Sequence, residues 1–243
     1  MNNPKVSLIW FTGKGSNDEK YEAARLLAYT KNTRLQLTPD GYEKFLNMSI
    51  EELSKELIYM ASTIPSSWEF VDVIFSINNV TRACAQQITR TRTASYAMQS
   101  QRVIDMSQVT FHTPESIKDK VSYAFTMENS LEDYSSLVKA GESLEDARGV
   151  LPINVHCNLL AKYNLRSLVE LLRARESLRV QGEYRMIAAQ MRTLVIEAWP
   201  WAGPFFAPKD EKAIALIEAV AMELDDKKLK MQLAKAADLL KKS

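Results

Sequence analysis

The amino-acid sequence predicts an α+β fold in which helices surround a central sheet. Two runs rich in Val, Ile and Phe, at residues 6–11 and 69–78, predict strands, and the segments between them have helical periodicity. A chain of 243 residues can bury one large core, and this one contains no internal repeat or low-complexity linker. We therefore expect one mixed domain over residues 1–243, of which residues 207–243 form a C-terminal helical tail.

The first quarter of the chain predicts one strand and three helices. The strand is expected at residues 6–11, and the helices at residues 16–31, 38–47 and 49–62. Two of the helix starts have the spacing of a capping box, in which a hydroxyl and a carboxylate three residues apart close the first turn. These pairs are Ser16 with Glu19 and Ser49 with Glu52.

The remainder of the chain alternates between helices and strands after a break at residues 64–67. The expected elements are a strand at 69–78, a helix at 80–89, a strand within 93–109, helices at 114–140 and 144–148, a strand at 153–163, helices at 166–179 and 182–199, and a helical tail at 209–242. If the chain is extended after the helix at 80–89, Arg90 and Arg92 share one face, because side chains alternate along a strand.

Composition excludes several classes of protein. With 31 basic and 30 acidic residues, the net charge is +1, which argues against binding a nucleic-acid polymer. Cys84 and Cys157 have neither zinc spacing nor a disulfide framework, and His112 and His156 are isolated, so we expect no metal site. The chain has no signal-peptide pattern and no apolar run of membrane-spanning length. These features favour a cytoplasmic protein that does not contact membranes.

One stretch stands out by its charge. Between Asp72 and Asp105 the chain has no acidic residue and no lysine, yet it contains four arginines. They are Arg82, Arg90, Arg92 and Arg102. Arginine without lysine indicates bidentate recognition of an oxyanion, and the Ser, Thr and Gln residues between them add neutral donors. The stretch therefore predicts a site for a small anion such as a nucleotide phosphate.

The same stretch begins a series of motifs that resembles a known family. Arg90-Thr91-Arg92 is followed by Ser95, Ser100 and Arg102, and further downstream come Glu145-Asp146-Ala147-Arg148 with Leu151-Pro152, then Asn164-Leu165-Arg166-Ser167-Leu168, then Arg175, Gln181 and Glu183. In this order and spacing the blocks resemble those of the flavin-dependent thymidylate synthases (the ThyX family). The resemblance covers about residues 60–200 and implies that the central sheet is mainly antiparallel.

The resemblance also implies an activity. Members of this family methylate dUMP at C5 to give dTMP, with reduced FAD as the hydride source, methylenetetrahydrofolate as the carbon source and NADPH as the reductant of the flavin. A pyrimidine nucleoside monophosphate and a folate are therefore the expected ligands. The family forms homotetramers whose active sites are built from several subunits, so the resemblance implies a homotetramer here as well.

The resemblance assigns roles to individual residues of this chain. The nucleotide would be held by Gln87, Arg90, Ser100, Gln101, Arg102, Arg148 and Arg175. The flavin would be held by Ser66, Glu69, Arg90, Arg92, Asn164 and Arg166. Arg175 matches the arginine that polarises the pyrimidine ring, so it is the expected catalytic residue; a cation there stabilises negative charge developing on the activated ring.

The chain also departs from the family pattern. Thr91 replaces the central histidine of the Arg-His-Arg motif, Met98 replaces a glutamate, and Ile64, Glu170 and Arg179 stand where relatives have flavin-contacting polar residues. These changes cluster on the flavin and folate side. Two alternatives therefore stay open: a non-catalytic nucleotide-binding paralogue, and an enzyme that modifies a cytosine nucleotide at C5.

Two residues have ordinary structural interpretations beside the functional ones. Glu170 has the spacing to bridge Arg166 and Arg173 along one helix, which requires no ligand. Cys84 lies in an apolar helical segment and is predicted to be a small buried residue rather than a nucleophile.

Overall fold

A computed structural model describes residues 3–31, 38–63, 65–175 and 181–207, the backbone alone at Pro39, and five residues beyond position 207. Most of the predicted tail at 209–242 and the end of the helix predicted at 166–179 therefore lie outside the described residues. The chain divides into two compact units, residues 1–201 and residues 202–243. The single domain with a helical tail stays a prediction.

The first unit contains a four-stranded sheet. Its strands are β1 (Lys5–Phe11), β2 (Asp72–Thr81), β3 (Ala94–Met98) and β4 (His156–Asn164). The strand order is β1-β2-β4-β3, and every neighbouring pair is antiparallel. The predicted α+β class and the mainly antiparallel sheet are thus confirmed. The strand predicted at 69–78 begins later, because Pro65–Phe70 forms a 3₁₀ helix.

Eight described helices belong to the same unit. They are α1 (Glu22–Thr30), α2 (Pro39–Leu46), α3 (Ile50–Thr63), α4 (Arg82–Ile88), α5 (Lys120–Lys139), α6 (Leu144–Ala147), α7 (Leu165–Arg175) and α8 (Gly182–Ala198). In the second unit the structure describes the short helix α9 (Gly203–Phe206). Among the described helices, none is both long and apolar enough to cross a membrane.

The core lies on one face of the sheet. Alternate residues of the two central strands are buried there: Val73, Phe75 and Ile77 on β2, and Leu159, Ala161 and Tyr163 on β4. Helix α8 packs on β1 and β2, α7 packs on β4, and α4 contacts both central strands. The period of two along β2 and β4 is therefore the sequence signal that places α4, α7 and α8 on the same side of the sheet.

Helix α1 starts six residues later than the sequence predicts. The expected capping box at Ser16 and Glu19 does not form; the segment 12–21 consists of turns, and Tyr21 precedes the helix without a side-chain cap. Gly13 has a φ of +97° in this segment. The residues at 14–17 are exposed, so a helix there would bury no apolar side chain, and only from Ala23 onward does the helix face the core.

The second predicted capping box is present. The Ser49 hydroxyl accepts from the Glu52 backbone N–H at 3.3 Å, and the Glu52 carboxylate accepts from the Ser49 backbone N–H at 3.1 Å. Helix α3 then buries Leu53, Leu57 and Met60 along one stripe. The capping-box motif therefore starts a helix at Ser49, where an apolar stripe follows at once, and not at Ser16, where none does.

A bulge near the end of β2 determines where α4 begins. The pairing with β4 shifts between Ile77 and Val80, and Asn79 within this interval has a φ of +55°. The Thr81 hydroxyl then accepts from the Cys84 backbone N–H at 3.0 Å and caps α4. Because a bulge places an extra residue in one strand, it changes which residues face the core beyond it.

A small satellite core lies beneath α5 and α6. Met106, Tyr134 and Ala147 are buried together, and the Tyr134 hydroxyl accepts from the Met106 backbone N–H at 3.0 Å. This cluster joins the segment after β3 to the helices that precede β4. It therefore fixes the distance between the segment 100–102 and Arg148, which both carry predicted nucleotide-binding residues.

Candidate functional site

A polar pocket of about 390 Å³ lies beside the N-terminal end of α4. Its lining residues come from three segments: Arg82, Gln86, Gln101, Arg148, Gly149, Leu151, Pro152 and Ile153. The Nε2 atom of Gln101 is buried, and within the described part of the chain it has no hydrogen-bond partner. A buried donor without an acceptor is costly, so the pocket is suited to a ligand that supplies an acceptor.

Helix α4 and the loop before β4 build this pocket together. The backbone N–H of Arg82 donates to Val155 O at 2.9 Å, and that of Ala83 donates to Ile153 O at 3.0 Å. These bonds attach the first turn of α4 to the loop. Arg82 and Gln86 are four residues apart and so project from one face of the helix. The attachment of α4 to this loop thereby brings two helical side chains to Gln101 and Arg148.

The arginines around the pocket outnumber the acids. Arg102 Nε donates to Glu145 Oε2 at 2.9 Å, and Arg148 Nε donates to the Glu145 backbone oxygen at 3.1 Å. A second Arg148 nitrogen lies 3.8 Å from Glu145 Oε1. Arg82 lines the same pocket, and the Glu145 carboxylate contacts Arg102 and Arg148. Such a region attracts an anion.

Predicted nucleotide-binding residues also lie where α4 meets α8. Gln87 Nε2 donates to Gln181 Oε1 at 2.7 Å, and the guanidinium carbon of Arg175 lies 4.7 Å from the centre of the Tyr184 ring. Arg175 also lines a second pocket, of about 350 Å³, with Arg185, Ala188, Ala189, Arg192 and Thr193. Gln87 and Arg175 are both half-buried, so each keeps part of its polar group exposed to a ligand.

Predicted flavin-binding residues lie at the opposite end of β4. Asn164 Oδ1 accepts from the Ser167 backbone N–H at 2.8 Å and caps α7. Arg166 forms ion pairs with Glu69 at 2.8 Å and with Glu170 at 3.1 Å. Ser66 is exposed in the 3₁₀ helix that also carries Glu69. The ion pair along α7 between Arg166 and Glu170 confirms one part of the structural interpretation of Glu170.

Arg90 and Arg92 lie in a turn. Residues 89–90 and 92–93 are turn residues between α4 and β3, so the extended conformation on which the shared face of Arg90 and Arg92 depended is not adopted. The Tyr96 hydroxyl lies 2.9 Å from Ile88 O and 3.1 Å from Thr91 O, so its single proton is shared between the two carbonyl groups and braces the turn. Since Ala94 pairs with Tyr163, Arg92 lies near the end of β4 that leads to Asn164.

The strand β3 separates two parts of the predicted nucleotide set. Arg90 precedes it and Ser100 follows it, and a five-residue strand has a length of about 13 Å. One chain therefore brings Gln101, Arg102 and Arg148 together but does not bring Arg90 to them. The predicted residues fall into a pocket group, a group at α8 and a group at the end of β4.

The residues omitted from the predicted site are Arg82 and Gln86. Both line the pocket, although Arg82 was named only as a member of the arginine-rich stretch and Gln86 was given no role. A local signal was present in the sequence, since the two residues have i, i+4 spacing within the predicted helix at 80–89. The pairing of this face with Gln101 and Arg148 depends on the contact between α4 and the loop before β4, which no local pattern indicates.

Both cysteines and His156 are buried within the fold. Cys84 is fully buried, and burial raises the pKa of its thiol, which confirms the interpretation as a small buried residue. Burial likewise raises the pKa of Cys157 to about 11. The His156 Nδ1 lies 2.7 Å from the Thr110 hydroxyl, and burial lowers the pKa of this ring to about 4. In the described parts of the chain, no three His, Cys, Asp or Glu residues cluster as metal ligands do.

The substituted motif positions differ in their surroundings. Thr91 has its carbonyl oxygen bound by Tyr96, as described above, and Met98 is half-buried at the end of β3, opposite Leu159. A thioether there offers no charge to a ligand. Ile64 and Arg179 lie outside the described residues.

The fold and the pocket define a class of protein. The chain is an α+β protein with an antiparallel sheet and a polar pocket lined by arginine and glutamine side chains. Comparison with known families makes this specific: residues 8–201 match the model of the thymidylate synthase complementing proteins, and the chain belongs to this family.

Individual relatives support the same assignment. A flavin-dependent thymidylate synthase from Pyrococcus horikoshii is 33% identical over 196 residues, which are 77% of this chain and 77% of the relative. One from Nitratidesulfovibrio vulgaris is 30% identical over 177 residues, covering 66% of this chain and 72% of the relative. One from Thermococcus onnurineus is 34% identical over 131 residues, and the matched segment spans only 54% of that relative.

Proposed function

We propose that this protein methylates a pyrimidine nucleotide at C5, converting dUMP to dTMP with methylenetetrahydrofolate and NADPH as co-substrates and FAD as cofactor. The observation that carries the proposal is the pocket beside α4, in which two arginines surround the unpaired, buried Nε2 of Gln101. The relatives bear the name of flavin-dependent thymidylate synthases. This activity is supported by membership of the family and by a pocket whose donors suit the phosphate of a nucleotide.

The phosphate of the nucleotide is proposed to bind in the pocket. A phosphate monoester is an acceptor with about two negative charges, and it would accept from Arg82, Arg148 and Gln101 Nε2. Arg102 and Ser100 lie next to Gln101 in the chain and belong to the same proposed contact. Glu145 holds Arg102 and Arg148 in place and leaves a net positive charge for the phosphate.

Arg175 is proposed as the catalytic residue. The contact of its guanidinium group with the Tyr184 ring, at 4.7 Å from the ring centre, orients the side chain. Directed at a carbonyl of the pyrimidine ring, its N–H donors would stabilise the negative charge that develops as C5 is activated. Gln87, which contacts the same first turn of α8 through Gln181, is proposed to bind the base as well.

The residues at the end of β4 suit the charged part of a flavin dinucleotide. Within the described chain, no carboxylate lies within ion-pair distance of Arg90 or Arg92, so both guanidinium groups are available to a diphosphate. Arg166 forms ion pairs with Glu69 and Glu170, so it would orient the flavin by hydrogen bonds more than it would neutralise the charge of the diphosphate. Asn164 and Ser66 would supply neutral hydrogen bonds. A bound flavin supplies the hydride chemistry that protein side chains lack.

A homotetramer is proposed from the resemblance to the family, and the separation of the nucleotide-binding residues within one chain supports a site built from more than one subunit. Arg90 and Arg92 lie at one end of β3, whereas Ser100, Gln101 and Arg102 lie beyond the other end. If both groups contact one nucleotide, they come from different subunits. The exposed apolar side chains Val121 and Phe125 on α5, and Ile58 and Tyr59 on α3, are consistent with faces buried on assembly.

The function is tested with purified full-length protein. We expect bound or bindable FAD with its yellow absorbance, a rise in melting temperature with dUMP, and a mass gain of one methylene in the product when folate and NADPH are added. The variant Arg82→Ala should weaken dUMP binding by about 10–100-fold and leave the weaker binding of deoxyuridine unchanged, because it removes a phosphate contact only.

The outcomes separate the proposed function from its alternatives. Stabilisation by dUMP in a protein that binds no flavin would favour a non-catalytic nucleotide-binding paralogue. A modified product from dCMP and none from dUMP would favour an enzyme acting on cytosine nucleotides. No binding of either nucleotide would refute the proposal.

A further inference from the structure

Both neighbours of the strand β4 depart from it at the level of one residue, Asn158. The pairing of β3 with β4 ends at Met98, and the pairing of β2 with β4 is interrupted by the bulge that contains Asn79. Beyond these points the two strands lead to the two walls of the polar pocket. Strand β3 continues into the loop that carries Gln101, and β2 continues into the helix that carries Arg82.

On one side, Gln99 pairs with Asn158 by two hydrogen bonds. The Gln99 backbone N–H donates to Asn158 O at 2.9 Å, and the Gln99 side-chain Oε1 accepts from the Asn158 backbone N–H at 3.1 Å. In a hydrogen-bonded antiparallel pair the second bond ends on the backbone carbonyl group. Because the side chain of Gln99 takes the place of that carbonyl group, the backbone can leave the ladder here, and Ser100, Gln101 and Arg102 follow directly.

On the other side, the side chain of Asn158 holds the bulge. Its Oδ1 accepts from the Asn79 backbone N–H at 3.0 Å, in the interval where the ladder is interrupted. Asn79 has a φ of +55°, which is uncommon for residues other than glycine, so this bond stabilises a conformation that is otherwise disfavoured. Helix α4 begins at Arg82, and the bulge therefore determines where Arg82 and Gln86 project.

The contacts of Asn158 thus act on two groups of donors that face one pocket. Gln101 Nε2 is buried there and has no hydrogen-bond partner within the described part of the chain, and Arg82 and Gln86 line the same pocket. Donors bind one small anion together only if their positions are held to within about 0.5 Å. Asn158 is exposed on the sheet, so it would influence a ligand through these donors.

We infer that Asn158 is a positioning residue that fixes the loop with Gln101 relative to the helix with Arg82, and that it thereby raises the affinity of the pocket for a phosphate group. This inference rests on the proposed function, since it takes the pocket to bind the phosphate of the nucleotide. A residue that only stabilised the sheet would leave the ratio of nucleotide to nucleoside affinity unchanged, whereas a positioning residue affects the affinity for the nucleotide alone.

The variant Asn158→Ala tests the inference because it removes the Oδ1 acceptor and keeps the backbone groups that pair with Gln99. Affinities of the full chain for dUMP and for deoxyuridine are measured by calorimetry. The loss of one hydrogen bond of ordinary strength corresponds to about 3–10-fold in an equilibrium constant, so the ratio of dUMP to deoxyuridine affinity should fall by about this factor. Asn158→Asp keeps the acceptor and should retain the ratio within about 2-fold at physiological salt, which screens its exposed charge.

Two further variants examine the other contact and the role of stability. Gln99→Leu removes the acceptor that replaces the backbone carbonyl group, and it should lower the same ratio to a similar extent. The matched control is Gln190→Ala, because Gln190 Oε1 also accepts from a strand backbone N–H, that of Val6 at 2.9 Å. This control should lower the melting temperature and leave the ratio of dUMP to deoxyuridine affinity unchanged.

The outcomes separate the inference from the proposed function. An unchanged ratio in Asn158→Ala, with dUMP still bound by the wild type, would overturn the inference and leave the proposed function intact; if that variant does not fold, an unchanged ratio in Gln99→Leu has the same meaning. An equal fall in Gln190→Ala or in Asn158→Asp would also overturn it. Failure of the wild type to bind dUMP more tightly than deoxyuridine would overturn both.

Discussion

Replacing Glu183 by alanine should cost a large share of the stability of the folded chain. Glu183 is 6% exposed, and its carboxylate accepts two short hydrogen bonds from Thr81, one from the backbone N–H and one from the hydroxyl. Thr81 is fully buried, so neither donor can turn to water when the carboxylate is removed. The substitution therefore leaves two buried donors unpaired at the cap of α4.

The expected magnitude follows from those two bonds. Hydrogen bonds to a charged group contribute about 1.5–3 kcal/mol each, so Glu183→Ala should lower the free energy of unfolding by about 3–6 kcal/mol. For a chain of this size the loss corresponds to a fall in melting temperature of roughly 6–24 °C. Glu183→Gln keeps one acceptor and should cost about half as much.

Urea unfolding followed by far-ultraviolet circular dichroism measures this loss. The control is Glu51→Ala, which breaks an exposed i, i+4 pair with Lys55 at 2.8 Å and should cost less than about 1 kcal/mol. If Glu183→Ala unfolds within about 1 kcal/mol of Glu51→Ala, the reasoning is refuted and the Thr81–Glu183 bonds do not hold α4 against α8.

Three further predictions concern catalysis, a turn and a buried histidine. Arg175→Ala should lower turnover of dUMP by about 100–1,000-fold while dUMP affinity changes by less than about 10-fold; unchanged turnover in a steady-state assay would exclude the assigned role. Gly13→Ala should cost about 2–3 kcal/mol in urea unfolding, because φ is +97° and a Cβ would lie 2.9 Å from Glu22 Cβ, whereas Gly15→Ala, with φ +82° and open space, should cost about 1 kcal/mol; equal losses would exclude the steric contribution. The pKa of His156 is lowered from 6.5 to about 4 by burial and then by His112, so its stabilising contribution is complete above pH 6.5 and is lost as the pH falls toward 4; wild type should lose about 3 kcal/mol more than His156→Gln between pH 7 and pH 4, and parallel losses in urea unfolding at the two pH values would contradict this.

Local sequence patterns correctly predicted those helices and strands whose apolar residues are buried in the structure. Strand β4 was expected at 153–163 and spans His156–Asn164, and the capped helix at Ser49 starts as expected. The equivalent motif at Ser16 failed because its following turn faces solvent and gains nothing from helix formation. A capping-box pair, with a hydroxyl and a carboxylate three residues apart, therefore predicts a helix start only when apolar residues that face the core follow it.

The candidate site was predictable in its chemistry and not in its geometry. The run of arginines without acids indicated an anion site, and Gln101 and Arg148 line a pocket of that character. That Arg82 completes this pocket depends on the contact between α4 and the loop before β4. That Arg90 is remote from it depends on the register of β3 against β4 and on the turn at 89–93. Register is a property of two distant segments, so a single segment does not encode it.

The bulge at Asn79 has a consequence for how insertions and deletions act in this chain. Three steps along β2, from Ile77 to Val80, lie opposite two steps of β4, and the Asn79 backbone N–H donates to Asn158 Oδ1 at 3.0 Å to hold the extra residue. Helix α4 begins three residues after Asn79, at Arg82, so the bulge sets the rotational phase of the helix. Deleting Asn79 would turn the end of β2 by half a revolution, whereas a residue added inside α4 would turn the helix by about 100°. At this position a change in chain length, with no change in side-chain chemistry, would decide whether Arg82 or Gln87 faces a given ligand.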